Sequence, residues 1–185
     1  MRSCPRRRWR KLNEIPVKIS LLPGAELPKY AKPGDSGFDL VAQEDYVVEP
    51  GETIKVRTGI RIELPEGLEV QIRPRSGVSA NTKLRVANSP GTGDSSYRGE
   101  ICVLIDNIAQ AFRYDSIRFY GVDGYLTSDK RVVPGADNTY IIRKGDRIAQ
   151  AVIAPVYRAA FEVVTELTET ERGDGAFGHT GVSAE

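Results

Sequence analysis

From residue 15 onward the chain is cut into short apolar runs, and the cuts limit what it can fold into. "IPVKISLL" alternates, "PGAELPKYAKPGDSG" is loop, and "FDLVA", "DYVVEP", "GETIKVRTGIRIELP" and "LEVQIRPR" follow in turn. Each run is rich in Val and Ile and stops at a Pro- or Gly-containing turn, which is the texture of half-buried strands. "EICVLIDN" and "RIAQAVIAPVY" are fuller apolar runs of strand length, expected to be buried on both faces. Helical signals are poor: a turn or two at most is expected, for example over "TKLRVAN", and nothing reaches four turns with caps. The even spacing of short strands predicts an all-β fold, a barrel or sandwich of jelly-roll type.

At 185 residues the chain has the length of one domain with a real core. Its 40% hydrophobic and 28% charged content is that of a soluble globular protein, and no apolar run is long enough to suggest a membrane span. The net charge of +1 conceals an asymmetry, because Arg2, Arg6, Arg7, Arg8, Arg10 and Lys11 all precede the first acid, Glu14. Such a head could be a nucleic-acid arm, a targeting peptide or a solvated tail. It lacks the apolar region of a secretory signal, and a disordered extension over residues 1–14 is the expectation, with no nucleic acid as partner. The body then spans 15–169 and a Gly-rich tail 170–185. Cys4 and Cys102 make neither a disulfide framework nor a zinc pattern, which fits a reducing, cytoplasmic setting.

Residues 110–140 differ in texture. They hold four of the eight tyrosines, interleaved with Gly-Val-Asp-Gly and Pro-Gly-Ala-Asp turns, and predict an inserted excursion containing a hairpin.

Five clusters hold the chemistry-bearing residues. In "DSGFDL", Asp39 follows a glycine at the start of an apolar run. In "RPRSGVS", Arg75 with the Ser76-Gly77 backbone offers a guanidinium and exposed N–H groups, both suited to phosphate oxygens. In "NSPGTGDSSYRGEI", Asp94 and Tyr97 stand three residues apart in what is expected to be a tight hairpin, so that an acid and a flat ring could face one ligand. In "KGDRIAQ", Gln150 enters a strand where its amide needs partners. In "RGDGAFGHTG", Arg172 could clamp a phosphate and Phe177 could stack on a base. Each cluster alone has an ordinary structural explanation: a strand-edge acid, a solvated arginine, a turn, a satisfied amide, a loose terminus. His179, the single histidine, cannot make a zinc site by itself and is expected to be exposed and inert.

Taken in order, the clusters resemble the five motifs of the trimeric dUTP pyrophosphatase (dUTPase) family. The likeness runs from about residue 16 to 181, interrupted by the excursion, and "PRSG", "GDSSYRGE", "KGDRIAQ" and "RGDGAFGHTG" are its specific pieces. The resemblance implies a jelly-roll barrel assembled as a homotrimer, with each site built from several chains. It implies cleavage of dUTP between the α- and β-phosphates to dUMP and pyrophosphate, with Mg²⁺ on the triphosphate. That activity limits uracil in DNA and supplies dUMP for thymidylate synthesis.

By the same resemblance Asp94 activates the attacking water, and Tyr97 lies under the deoxyribose where a 2′-hydroxyl would sit. The backbone around residues 88–98, with Asn88 and Gly91, reads the uracil edge. Arg75, Ser76, Gly77 and Gln150 hold phosphates or metal-bound water, and Asp39 acts through water on the metal or through an arginine. Arg172, Phe177, Gly178 and Thr180 belong to a tail that closes as a lid over the bound nucleotide.

Four positions depart from the family pattern. Gly93 replaces a branched apolar residue, removing a packing anchor beside Asp94, and Ser96 replaces an acid. Ala176 and His179 replace a Gly and a small hydroxyl residue. Insertions near 110–140 occur in some phage members, and this one is expected to pack on the trimer surface or to bind a protein partner.

The related dCTP deaminases need a glutamate in the strand after the hairpin, where "GEICVLIDN" has Leu104, so that reading lacks its proton carrier. A non-catalytic nucleotide-binding module is a rival of another class, and the intact Asp94 argues against it.

Overall fold

The computed structural model describes residues 14–111, 119–126 and 138–174. Twelve strands and one short helix make up this part of the chain, in four sheets. β1 (Lys18–Leu21) pairs with β5 (Ile60–Glu63), and β3 (Tyr46–Val48) pairs with β11 (Thr139–Ile142), which pairs in parallel with β10 (Phe119–Gly121). β4 (Thr53–Arg57) pairs with β9 (Cys102–Asn107), which also takes β7 (Leu84–Val86). The largest sheet runs β2 (Phe38–Val41), β12 (Arg147–Pro155), β6 (Leu68–Pro74), β8 (Gly91–Asp94). The fold is all-β and jelly-roll-like, as the strand spacing predicts.

Alternation explains the core. In β2, Phe38 and Leu40 point inward while Asp39 is half-buried; in β5, Ile60 and Ile62 are buried and Arg61 is exposed. Leu40, Val48, Val56, Val70, Leu84, Val103, Ile105, Ile142 and Ile148 fill the interior. Among the described residues four polar ones are buried with them, Thr58, Thr82, Asn107 and Thr139, and the Asn107 amide is bonded at both ends. Its Nδ2 donates to the carbonyls of Val48 (3.0 Å) and Asn138 (2.9 Å), and its Oδ1 accepts from Ala109 N–H (3.1 Å).

Three expectations need correction. The helix is α1, Ser76–Asn81, directly after Arg75, whereas "TKLRVAN" contains strand β7. The run "SGVSAN" has small residues and one apolar anchor, Val78, too weak a period to stand out in sequence. β9 is buried on one face only: Val103, Ile105 and Asn107 point inward, while Cys102, Leu104 and Asp106 are half-exposed. Last, Asp94 and Tyr97 share a tight turn closed by Tyr97 N–H to the Asp94 carbonyl (3.0 Å), but β8 does not pair with β9. The hairpin is β7–β9, and its long connection sends β8 out to pair with β6.

Within the excursion the described residues 119–126 turn back on themselves, where Gly121 N–H donates to the Tyr125 carbonyl (2.9 Å) and Tyr120 bridges Leu126. It is not wholly peripheral. Tyr120 and Val122 pack on the core, the Tyr120 and Tyr140 rings lie 5.9 Å apart, and Thr139 and Tyr140 belong to buried β11.

Candidate active site

Two clefts of about 330 Å³ each collect the residues singled out in the first four clusters. The first gathers Asp39, Arg75, Ser76, Gly77 and Gln150, together with Asp35, Ser36, Gly37 and Arg147. Strand register brings them together: Gln150 on β12 is paired with Asp39 on one side and Arg73 on the other, and the chain leaving β6 turns into α1 beside them. Gly37 lets β2 come this close, since a Cβ there would lie 2.9 Å from the Ala151 carbonyl oxygen.

Asp39 is held between two guanidiniums. Arg75 Nε donates to its Oδ1 at 2.8 Å and Arg147 Nη1 to its Oδ2 at 3.3 Å, while Arg75 Nη1 also donates to the Arg147 carbonyl at 3.1 Å. Arginine has five N–H donors, so both side chains keep donors beyond these for a phosphate. Gln150 is half-buried and donates through Nε2 to the Pro74 carbonyl at 2.8 Å. Ser76 and Gly77 stand in the first turn of α1, where backbone N–H groups have no acceptor within the helix.

The second cleft gathers Asn88, Gly91, Asp94 and Tyr97, with Lys55, Ile72, Thr92, Gly93, Glu100, Ile101, Cys102 and Leu104. Asp94 is exposed at the end of β8, and Tyr97 is half-exposed with its hydroxyl donating to the Glu100 carbonyl at 3.2 Å. Burial, and after it the Glu100 carboxylate, push the Cys102 thiol up, so it stays protonated and apolar in character. Gly93 leaves no gap where a larger side chain is usual. A Cβ there would meet Val70 Cγ1 at 2.5 Å, so the β8 backbone itself fills the space beside Asp94.

The acids of the two clefts lie on opposite edges of one sheet. Asp39 is on edge strand β2 and Asp94 on edge strand β8, three strand spacings across and four residues along, roughly 20 Å apart. Arg172 lines neither cleft; it sits in the turn at residues 171–174. Phe177, Gly178 and Thr180, like Ala176 and His179, lie outside the described residues.

Sequence reasoning missed Arg147 and Glu100. Both stand inside quoted clusters, "KGDRIAQ" and "YRGEI", next to the start of an apolar strand. A charge at that place was the available signal.

Across the chain, the dUTPase family profile matches residues 24–116 and 132–181. The chain belongs to the dUTPase family. The internal unmatched stretch, 117–131, falls within the Tyr-rich excursion. A deoxyuridine 5′-triphosphate nucleotidohydrolase of Anaplasma marginale is 44% identical over 160 residues, covering 85% of this chain and 90% of that protein. One from Thermobifida fusca is 46% identical over 168 residues, covering 90% and 79%. Among solved structures, the dUTPase of Staphylococcus bacteriophage 80alpha with dUpNHpp superposes with a TM-score of 0.84 at 31% identity, over 90% of this chain and 99% of that one. A dUTPase of Staphylococcus aureus phage phi11, described with a structural Mg(II) ion, has a TM-score of 0.73 at 28% identity, over 82% and 98%. The protein is accordingly a hydrolase of the dUTP diphosphatase class. No helix among the described residues is long and apolar enough to cross a membrane.

Proposed function

We propose that this dUTPase converts dUTP to dUMP and pyrophosphate through a water that Asp94 activates for attack on the α-phosphorus. The observation that carries the reading is the second cleft, where Asp94, Tyr97, Asn88 and Gly91 meet over the apolar surface of Ile72 and Leu104. An ionised carboxylate within hydrogen-bond reach of a water can take its proton as the oxygen attacks. The Tyr97 ring supports the deoxyribose and leaves no room for a 2′-hydroxyl. The backbone of residues 88–98, close-packed at Gly91, reads the uracil edge and excludes the thymine methyl.

The triphosphate takes the first cleft. Arg75, with the Ser76 and Gly77 backbone, holds phosphate oxygens, Gln150 supports them, and Asp39 acts by keeping Arg75 and Arg147 in place. Among the described residues no cluster of His, Cys, Asp or Glu could hold a metal, and Asp39 is committed to two arginines. That donor set fits a Mg²⁺ held by phosphate oxygens and water, with Asp39 reaching it through water at most. Bound so, Mg²⁺ supplies charge neutralisation on the triphosphate.

Asp39 and Asp94 stand on opposite edge strands roughly 20 Å apart, which favours a nucleotide that reaches from the second cleft of one chain to the first cleft of a neighbour. Sites shared between neighbouring chains fit the homotrimer that the dUTPase resemblance implies. The C-terminal arm supports it too: Tyr157, Phe161, Val163 and Leu167 are almost fully exposed on the single chain, a load of apolar surface that a neighbouring copy would cover. The arm carries Arg172 toward the γ-phosphate, Phe177 over uracil, and Gly178 and Thr180 around the phosphates. The enzyme acts inside the cell, where it lowers dUTP and supplies dUMP for thymidylate synthesis. Exposed Tyr125 and Leu126 make the excursion the candidate contact for a protein partner.

Pyrophosphate release from dUTP, measured beside dCTP, dTTP and UTP, tests the assignment. Turnover confined to dUTP is expected; equal turnover of dCTP or dTTP would remove the uracil-reading role of residues 88–98.

A further inference from the structure

The second cleft holds one acid to which the reaction gives no task. Glu100 lines it beside Tyr97 and Asp94, yet both of its carboxylate oxygens are already engaged. Oε1 accepts from Gly59 N–H at 2.8 Å and Oε2 from Arg57 Nε at 3.0 Å, and the side chain is only 15% exposed. Its own main-chain carbonyl accepts the Tyr97 hydroxyl. The next residue repeats the attachment: Ile101 N–H donates to the Ile60 carbonyl at 2.8 Å, and Thr58 Oγ1 donates to the Ile101 carbonyl at 2.5 Å.

The receiving connection is closely packed. Gly59 sits at φ +72°, and a Cβ there would lie 2.6 Å from both Ala25 Cβ and Gln43 Oε1, so only glycine fits this turn without a shift of its neighbours. The Tyr97 ring also lies against Gly99, where an added Cβ would overlap ring atoms. Contacts therefore run from Arg57 and Gly59 through Glu100 to Tyr97, and from Tyr97 N–H to the Asp94 carbonyl.

We propose that Glu100 is a positioning residue for sugar selection: by anchoring the 97–100 turn to the β4–β5 connection, it sets the height of the Tyr97 ring and so excludes ribonucleotides. The inference rests on the reading of Tyr97 as the surface beneath the deoxyribose. Excluding a hydroxyl by contact depends on distances of a fraction of an ångström, since repulsion rises steeply inside van der Waals separation. Tyr97 is 48% exposed, and its ring rests on Gly99 and the Glu100 carbonyl within the turn, so the anchored turn sets its position. A loosened ring still supports deoxyribose but gives way to the 2′-hydroxyl. The dUTP-to-UTP ratio of kcat/KM falls, whereas general damage to the fold lowers both values together and leaves the ratio alone.

The test measures that ratio in the full-length wild type, Tyr97→Ala, Glu100→Ala, Glu100→Gln and the Tyr97→Ala/Glu100→Ala double variant. Tyr97→Ala lowers it at least about tenfold and Glu100→Ala about fivefold, the scale of one lost hydrogen-bonded anchor. Glu100→Gln, which keeps an acceptor for Gly59 but loses the Arg57 ion pair, falls between wild type and Glu100→Ala. The double variant matches Tyr97→Ala alone, because no ring remains to be positioned. If Tyr97→Ala lowers the ratio and neither Glu100 variant does, the inference is overturned and the reading of Tyr97 stands. If Tyr97→Ala leaves the ratio unchanged, the reading of Tyr97 fails and the inference with it. Should Glu100→Ala yield no folded protein, Arg57→Ala takes its place: a lowered ratio supports the anchor, and an unchanged one overturns it.

Discussion

Gly93→Ala adds a single methyl to β8 and should cost far more than its size suggests. The new Cβ would lie 2.5 Å from Val70 Cγ1, well inside the roughly 3.5–4.0 Å at which carbon atoms rest. Val70 cannot easily yield. It is 2% exposed, its β-branched side chain is stiff, and β6 is fixed between β12 and β8. Overpacking of this kind costs about 1–3 kcal/mol. For a chain of this length each kcal/mol moves Tm by about 2–4 °C, so a fall of about 2–12 °C is expected in thermal unfolding followed by circular dichroism at fixed protein concentration. Val70→Ala removes the methyl that the new Cβ would meet. That variant alone loses stability through lost burial, but adding Gly93→Ala to it should then cost little, giving a coupling of at least about 1 kcal/mol. Equal losses in both backgrounds, or an unchanged Tm for Gly93→Ala, would refute the close contact between β8 and Val70.

The remaining predictions concern the site. Asp94→Asn should keep the fold and nucleotide binding by calorimetry while kcat falls by roughly 10²–10⁴, the range for a lost general base. Asp39→Ala should lower kcat/KM for dUTP by about tenfold or more, because Arg75 and Arg147 lose the carboxylate that orients them; wild-type kinetics would deny Asp39 that role. Refolding Asp94→Asn together with a chain truncated before Arg172 should restore activity to about a quarter of all sites, since equal mixing makes about three quarters of trimers mixed. No recovery from verified mixed trimers would mean that each lid closes over its own Asp94.

Strand content was legible because Val, Ile and turn residues alternate at a strand's period over most of the chain. Site residues were legible as types: Asp94 with Tyr97, and Arg75 with Ser76-Gly77, do fall into clefts. What sequence could not convey was adjacency. Nothing local in "GDSSYRGE" says that β8 leaves its neighbour β9 to pair with β6, whose residues 69–72 lie about twenty positions earlier in the chain. For the same reason Gly93 reads in sequence as a lost anchor and in structure as a close contact. Glu100 was missed because its partners, Arg57 and Gly59, lie about forty residues away in a different turn. Leu104 was read as a buried strand residue, but β9 has one face on a cleft that a second chain would cover.

A single turnover of dUTP in ¹⁸O-labelled water tests the central claim most directly. Water attacking the α-phosphorus places the label in dUMP and leaves pyrophosphate unlabelled, and Asp94→Asn should slow formation of that same labelled dUMP without moving the label. Label in pyrophosphate would mean attack at the β-phosphorus and would contradict the account.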